Sequence, residues 1–148
     1  MMKKRFLVFL GIALFFIFCQ SSYSTELALH GGMENGGQQF YGFYGNWGFL
    51  PFISSEGEYN YNFDTKNKMF SVGLAAKMKF SFFAPFARAG IGLRAEEFTY
   101  SGIHLFYYIG GGLKFYLAPI MGLKGGLTLF NEKDLSYYRI YGGIFLEF

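Results

Sequence analysis

Glu97, Ser101 and His104 lie close together in the chain and carry the side chains that nucleophilic catalysis uses: a hydroxyl to attack, an imidazole to take its proton and a carboxylate to orient the ring. Joined as a triad they would hydrolyse an ester. The simpler reading is a loop serine beside a solvated histidine, so no catalytic residue is assigned and no enzymatic activity is expected. His30 is the other of the two histidines. No carboxylate–histidine cluster has metal-ligand spacing, so no metal is expected. Gly110-Gly111-Gly112 lacks the lysine and the helix of a phosphate loop. It reads as strand with room on both faces, and no cofactor is expected.

The charged side chains make a stronger pattern. Glu56, Glu58, Lys77, Lys79, Arg88, Arg94, Lys114, Lys124, Arg139 and Glu147 recur on one set of alternate positions, interleaved with Gly73, Gly90, Gly92, Gly110, Gly112, Gly122 and Gly126. The other set, for example Phe70, Val72, Leu74, Ala76 and Met78, or Ala87, Ala89, Ile91, Leu93 and Ala95, reads as free of charge on every segment. Period two is the spacing of a strand with unlike faces. Eight segments show it, at residues 26–32, 39–48, 52–63, 68–80, 85–96, 103–117, 120–130 and 136–148, and no segment reads as a convincing helix. Their connections alternate between polar stretches, at 33–38, 64–67, 97–102 and 131–135, and short aromatic ones near 49–51, 81–84 and 118–119. That alternation describes an up-and-down antiparallel meander with both ends on the tight-turn side.

Residues 1–24 read as a cleavable signal peptide and residues 25–148 as a single β-domain. Lys3, Lys4 and Arg5 precede an apolar run from Phe6 to Phe18, and Ser22-Tyr23-Ser24 offers small residues for cleavage after Ser24. The run is shorter than the roughly 20 residues a membrane-spanning helix needs. A lipid-attached Cys19 is disfavoured by Phe18, which stands where such signals want a small residue. Thirteen cations oppose ten acids over the whole chain. Because Lys3, Lys4 and Arg5 leave with the leader, the processed chain is charge-neutral, and no basic run suggests nucleic acid. Cys19, the one cysteine, leaves too, which removes thiol chemistry and disulfides.

Two barrels fit eight amphipathic strands. A soluble one puts the charge-free set inside, and a membrane one puts it outside. Glycine is a poor residue on an exposed strand surface, but in a narrow lumen it makes room for long neighbours. With aromatics at 23% of the chain and many rings near strand ends, as in membrane-interface girdles, the membrane barrel is the better reading. Most segments approach the roughly 9 to 11 residues of a tilted membrane strand. The last strand then has Tyr138, Ile140, Gly142, Ile144, Leu146 and Phe148 on its lipid face.

Gly143, Leu146 and the terminal Phe148 resemble the C-terminal insertion signal of bacterial outer-membrane barrels. The whole processed chain is similar to the small eight-stranded barrels of the OmpA transmembrane-domain and OmpX types. The polar loops are shorter than those of the adhesins in that class, and no peptidoglycan-binding segment is expected after Phe148. The resemblance implies an outer-membrane location. It implies outer-membrane lipid, the barrel-assembly machinery and periplasmic chaperones as partners, and a monomeric state.

An eight-stranded lumen is just wide enough to be filled by side chains. Glu56, Glu58, Lys77, Arg88, Lys114 and Lys124 are expected at similar lower-to-middle depths, with Arg139 and Glu147 completing the network. An unpaired charge there would cost several kcal/mol, so the excess cations must recruit water, Glu147 or Glu26. A structural or surface-interaction role follows. A narrow pore for small, preferably anionic solutes and a lipid-modifying enzyme are the alternatives.

Overall fold

The computed structural model describes residues 24–96 and 102–148. The expected leader, apart from Ser24, lies outside them, and so do Glu97 and Ser101. Alternation of apolar and polar side chains with few interruptions produces eight strands: β1 (Thr25–Glu34), β2 (Gln38–Gly48), β3 (Ile53–Asn62), β4 (Lys68–Lys77), β5 (Phe83–Ala95), β6 (Ile103–Ala118), β7 (Met121–Glu132) and β8 (Leu135–Glu147). Each pairs antiparallel with the next, and β8 pairs with β1 to close a barrel. Closure removes the free sheet edges that would otherwise leave backbone groups unpaired. At the join, Thr25 and Phe148 exchange backbone hydrogen bonds of 2.8 and 2.9 Å.

The ring closes with a stagger. Ser24 accepts a hydrogen bond from the backbone of Gly48, and the line of paired residues then runs Gly48, Ser54, Ala75, Arg88, Gly110, Thr128 and Arg139. It returns to β1 at Glu34, ten residues above its start. For eight strands that shear corresponds to a tilt of roughly 40° from the barrel axis.

The burial pattern is inverted relative to a soluble protein. Leu29, Phe70, Leu74, Ile91, Ile109 and Ile144 are each more than half exposed, whereas Glu26 is fully enclosed and Arg139 is 1% exposed. Glycine and the short side chains of Ser54, Ser71 and Ala84 leave space inside for the long charged ones.

The strand limits differ from the sequence reading in places with a physical cause. β4 stops at Lys77, short of Phe80, because Phe80 and Phe83 bridge to each other with stacked rings 5.2 Å apart and fold the chain into a tight turn. Lys79 therefore leaves the lumen set, and its ammonium lies over the Tyr116 ring at 3.9 Å. At the opposite end, β1 continues to Glu34. Asn35 and Gly36 supply the two positive φ angles of a tight turn, and the Gly37 N–H donates to the Glu34 carbonyl at 3.2 Å. β7 and β8 likewise extend to the pair Glu132 and Leu135, so two expected loops shrink to tight turns. Lys68 corrects the reading of the outer face as charge-free: it begins β4 in the same phase as Phe70 and Val72.

Candidate functional site

The lumen side chains form tiers. Nearest the end that holds Thr25 and Phe148, Lys77 Nζ lies 2.9 Å from Glu147 Oε1 and donates to Ser24 Oγ at 3.0 Å, and the Tyr116 hydroxyl donates to Glu147 Oε2 at 2.8 Å. Above it, Glu26 receives both Lys114 and Lys124, the latter at 3.2 Å. Lys124 also sits over the Tyr44 ring, 3.4 Å from its centroid. A charge in this enclosed space must be matched by a carboxylate or a π face, because water is largely displaced.

The central tier is built on neighbouring lumen positions of β3. Glu56 and Glu58 share Arg88 from β5, with Nε 2.9 Å from Glu56 Oε1 and Nη2 against Glu58. Tyr44 and Tyr108 donate to Glu56 at 3.0 and 2.5 Å, and Asn60 donates to Glu58 at 2.5 Å. Gly73 and Gly90 face Tyr108 from β4 and β5. A β-carbon at either would collide with its hydroxyl. His30 Nε2 completes the tier, 2.7 Å from Asn60 Oδ1 and 3.4 Å from Glu58 Oε1.

Toward the loop end, Arg139 Nη2 meets Glu34 Oε2 at 2.8 Å, while Nη1 reaches back to Glu58 at 3.6 Å and links two tiers. The guanidinium lies over Phe40 and Phe130, 4.0 and 4.8 Å from their centroids. Met69, Phe106, Tyr108, Phe130 and Tyr137 pack as an apolar layer beside it, with Phe130 and Tyr137 stacked at 5.0 Å. Arg94 and Glu132 pair at 2.7 Å beyond that layer. In these contacts six carboxylates (Glu26, Glu34, Glu56, Glu58, Glu132 and Glu147) face six cations (Lys77, Arg88, Arg94, Lys114, Lys124 and Arg139).

Glu56, Glu58 and Arg88 meet directly, Lys114 and Lys124 meet through Glu26, Lys77 meets Glu147, and Arg139 joins from above. The expectation of one shared depth is corrected, because with a sheared barrel equal distances from the turns are unequal heights. Glu34 and Glu132, read as loop residues, stand inside. Their parity shows it: Glu34 continues the even positions of β1, and Glu132 those of β7. His30 and the amides of Asn46 and Asn60 gave no sequence signal beyond the same parity.

Gly143 faces the lumen, where an added β-carbon would collide with the Leu29 carbonyl oxygen and lie 2.7 Å from His30 Cβ. Leu146 and Phe148 point outward, 49% and 68% exposed. His104 is exposed at the start of β6, and the other two members of the possible triad lie outside the described residues. Among the described residues no group of three His, Cys, Asp or Glu could hold a metal.

No protein-family model and no curated protein matches the chain. Solved structures do. The N-terminal β-barrel domain of Pseudomonas aeruginosa OprF superposes with a TM-score of 0.76 at 16% identity, covering 87% of this chain and all of that one. A structure from the de novo design of transmembrane β-barrels gives 0.71 at 14% identity over 88% of this chain and 99% of the other. The outer membrane enzyme PagL gives 0.56 at 15%, covering 82% and 97%. The fold is therefore the closed, eight-stranded antiparallel barrel that these structures share. One shape serves a natural domain, a designed chain and an enzyme, so activity must be argued from the lumen and the surface.

Proposed function

We propose that the protein is an integral outer-membrane β-barrel that acts as a scaffold or surface-interaction element, with a lumen closed by its own side chains. The observation that carries this reading is the balanced ladder of six carboxylates and six cations stacked from Glu147 to Glu132. A conduit would need mobile ions to compete with these contacts. Each cation already has a carboxylate within 3.2 Å or, for Lys114, in direct contact, and the apolar layer around Phe106 and Phe130 adds a dry segment. The outward Leu, Ile and Phe side chains support a lipid surround, and the OprF-like fold supports the outer membrane as its place. In that setting lipid is the permanent partner, a barrel-assembly machinery and periplasmic chaperones deliver the chain, and the working unit is a monomer without enzymatic activity.

The test is single-channel recording of the refolded protein in planar bilayers. Silence across the physiological voltage range is expected. Stable, anion-selective conductance steps would overturn the plugged scaffold in favour of the narrow pore.

A further inference from the structure

The outer surface is not uniformly convex. Across β2 to β5 it carries a groove of about 820 Å³ in which the small residues Gly45, Ser55, Gly57 and Ala89 stand among larger apolar ones; Gly45 pairs with Gly57, and Leu74 lies between Ser55 and Ala89. Phe43, Tyr59 and Phe70 form one bank, and Trp47 and Leu74 form the other. Ser55 turns its hydroxyl back to the Trp47 carbonyl at 3.4 Å, so its polar group is occupied. The Trp47 ring leans over Gly45, 3.3 Å from where a β-carbon would stand, whereas the space above Gly57 is open, with Ser71 O the only atom near, at 4.0 Å.

We infer that this groove is a binding site for a lipid acyl chain, one hydrocarbon tail held in a fixed place while the rest of the lipid surround exchanges. The inference rests on the membrane reading above. Occupancy by hydrocarbon follows from chemistry, because the banks are aromatic and aliphatic and offer a polar ligand little beyond the Tyr59 hydroxyl and the Trp47 indole N–H. Occupancy by a slender chain follows from shape. The rings of Phe43, Tyr59 and Phe70 stand beside the open space above Gly57, and the convex wall of a second barrel would rest on those rings and leave that space empty. A tail can reach it and fill contacts that a void would forfeit. The volume is within the roughly 300 to 1,000 Å³ range of small-molecule sites.

Trp47 is the only tryptophan in the chain, so the groove carries its own reporter. The protein is refolded in non-quenching detergent micelles in large excess, and a phospholipid brominated in mid-chain is added while Trp47 emission is followed. Expected is a saturable quenching phase complete near one lipid per barrel, at least tenfold steeper than the lipid's mole fraction in the micelles. Gly57→Leu, which fills the open space, should abolish that phase and leave the proportional background. Ala89→Phe fills the groove from a different strand and should do the same, so the test survives if one variant fails to fold.

Quenching that simply follows mole fraction and is unchanged in both variants would refute the site. So would cross-linked dimers through Trp47→Cys that form without lipid, which would assign the groove to a second copy. Failure of the membrane reading has a different signature, because the chain would then not acquire heat-modifiable gel migration in micelles at all.

Discussion

Replacing Glu26 by Gln should be among the most damaging single changes to the lumen. One carboxylate, with no exposure of its own, serves Lys114 and Lys124, whose side chains are 2% and 1% exposed. At the 3.2 Å separation from Lys124 Nζ, an effective dielectric of about 20 gives roughly 5 kcal/mol of attraction. Gln removes that interaction for both lysines and leaves two ammonium groups facing each other. Water entry and the Tyr44 face recover part of the loss, so the expected net destabilisation is about 3 to 5 kcal/mol. Lys124→Met tests the same tier from the other side. It leaves one carboxylate with one ammonium and lays an apolar chain on Tyr44, so the expected change is below about 1 kcal/mol. The double variant should lie closer to wild type than Glu26→Gln alone, which a double-mutant cycle measures as coupling. Urea titrations of the refolded barrel, read by heat-modifiable migration and by Trp47 emission, supply the numbers. If Lys124→Met costs as much as Glu26→Gln, packing volume and not charge balance organises the tier.

Three further outcomes are expected. Leu74→Arg and Ile91→Arg, at sites 54% and 56% exposed on the outer face, should each destabilise the barrel by roughly 2 to 4 kcal/mol in vesicle refolding titrations; a neutral result would mean that this face does not meet lipid. Gly143→Ala should cost about 1 to 3 kcal/mol, since its β-carbon would press on His30 and the Leu29 carbonyl, while the adjacent Gly142→Ala, 3.8 Å from its nearest neighbour, should stay within about 0.5 kcal/mol of wild type. Phe148→Asp should lower outer-membrane levels in cells several-fold yet hardly change refolding in detergent, because the ring is exposed and the two backbone bonds to Thr25 remain; normal cellular levels would show that the terminal aromatic is not read during assembly.

Strand number and facing were legible because period two allows only two phases, and the glycines interleaved with the charges chose the one that places Arg88 and Lys114 inside. The lumen membership of Arg139 and Glu147 followed from the same parity. Four things were not legible. Strand ends were blurred where polar side chains remain in phase, so Glu34 and Glu132 looked like loop. Lys68 escaped notice because a charge at a strand end breaks no rule that the middle of the strand obeys. Heights inside the barrel depend on the stagger between strands, which is a property of pairing and not of any one segment; that is why Lys77 belongs with Glu147 and not with Arg88. The groove beside Trp47 was equally hidden, since Gly45 and Gly57 are far apart in sequence and acquire meaning only when β2 lies against β3.

The seam between β1 and β8 sets Glu26 beside Glu147, the two ends of the β-domain. The other seven ladders join neighbours and can zip locally, but this one must wait until the intervening hairpins stand in order, and contacts of such sequence separation slow folding most. Once it is made there is no frayed margin from which unzipping can begin. Unfolding then requires a whole ladder to part at once, and the barrel should outlast conditions under which it could no longer form. Urea curves run in the two directions should therefore not coincide on ordinary timescales, and the persistence of the protein in a membrane would be set by a barrier height more than by an equilibrium constant.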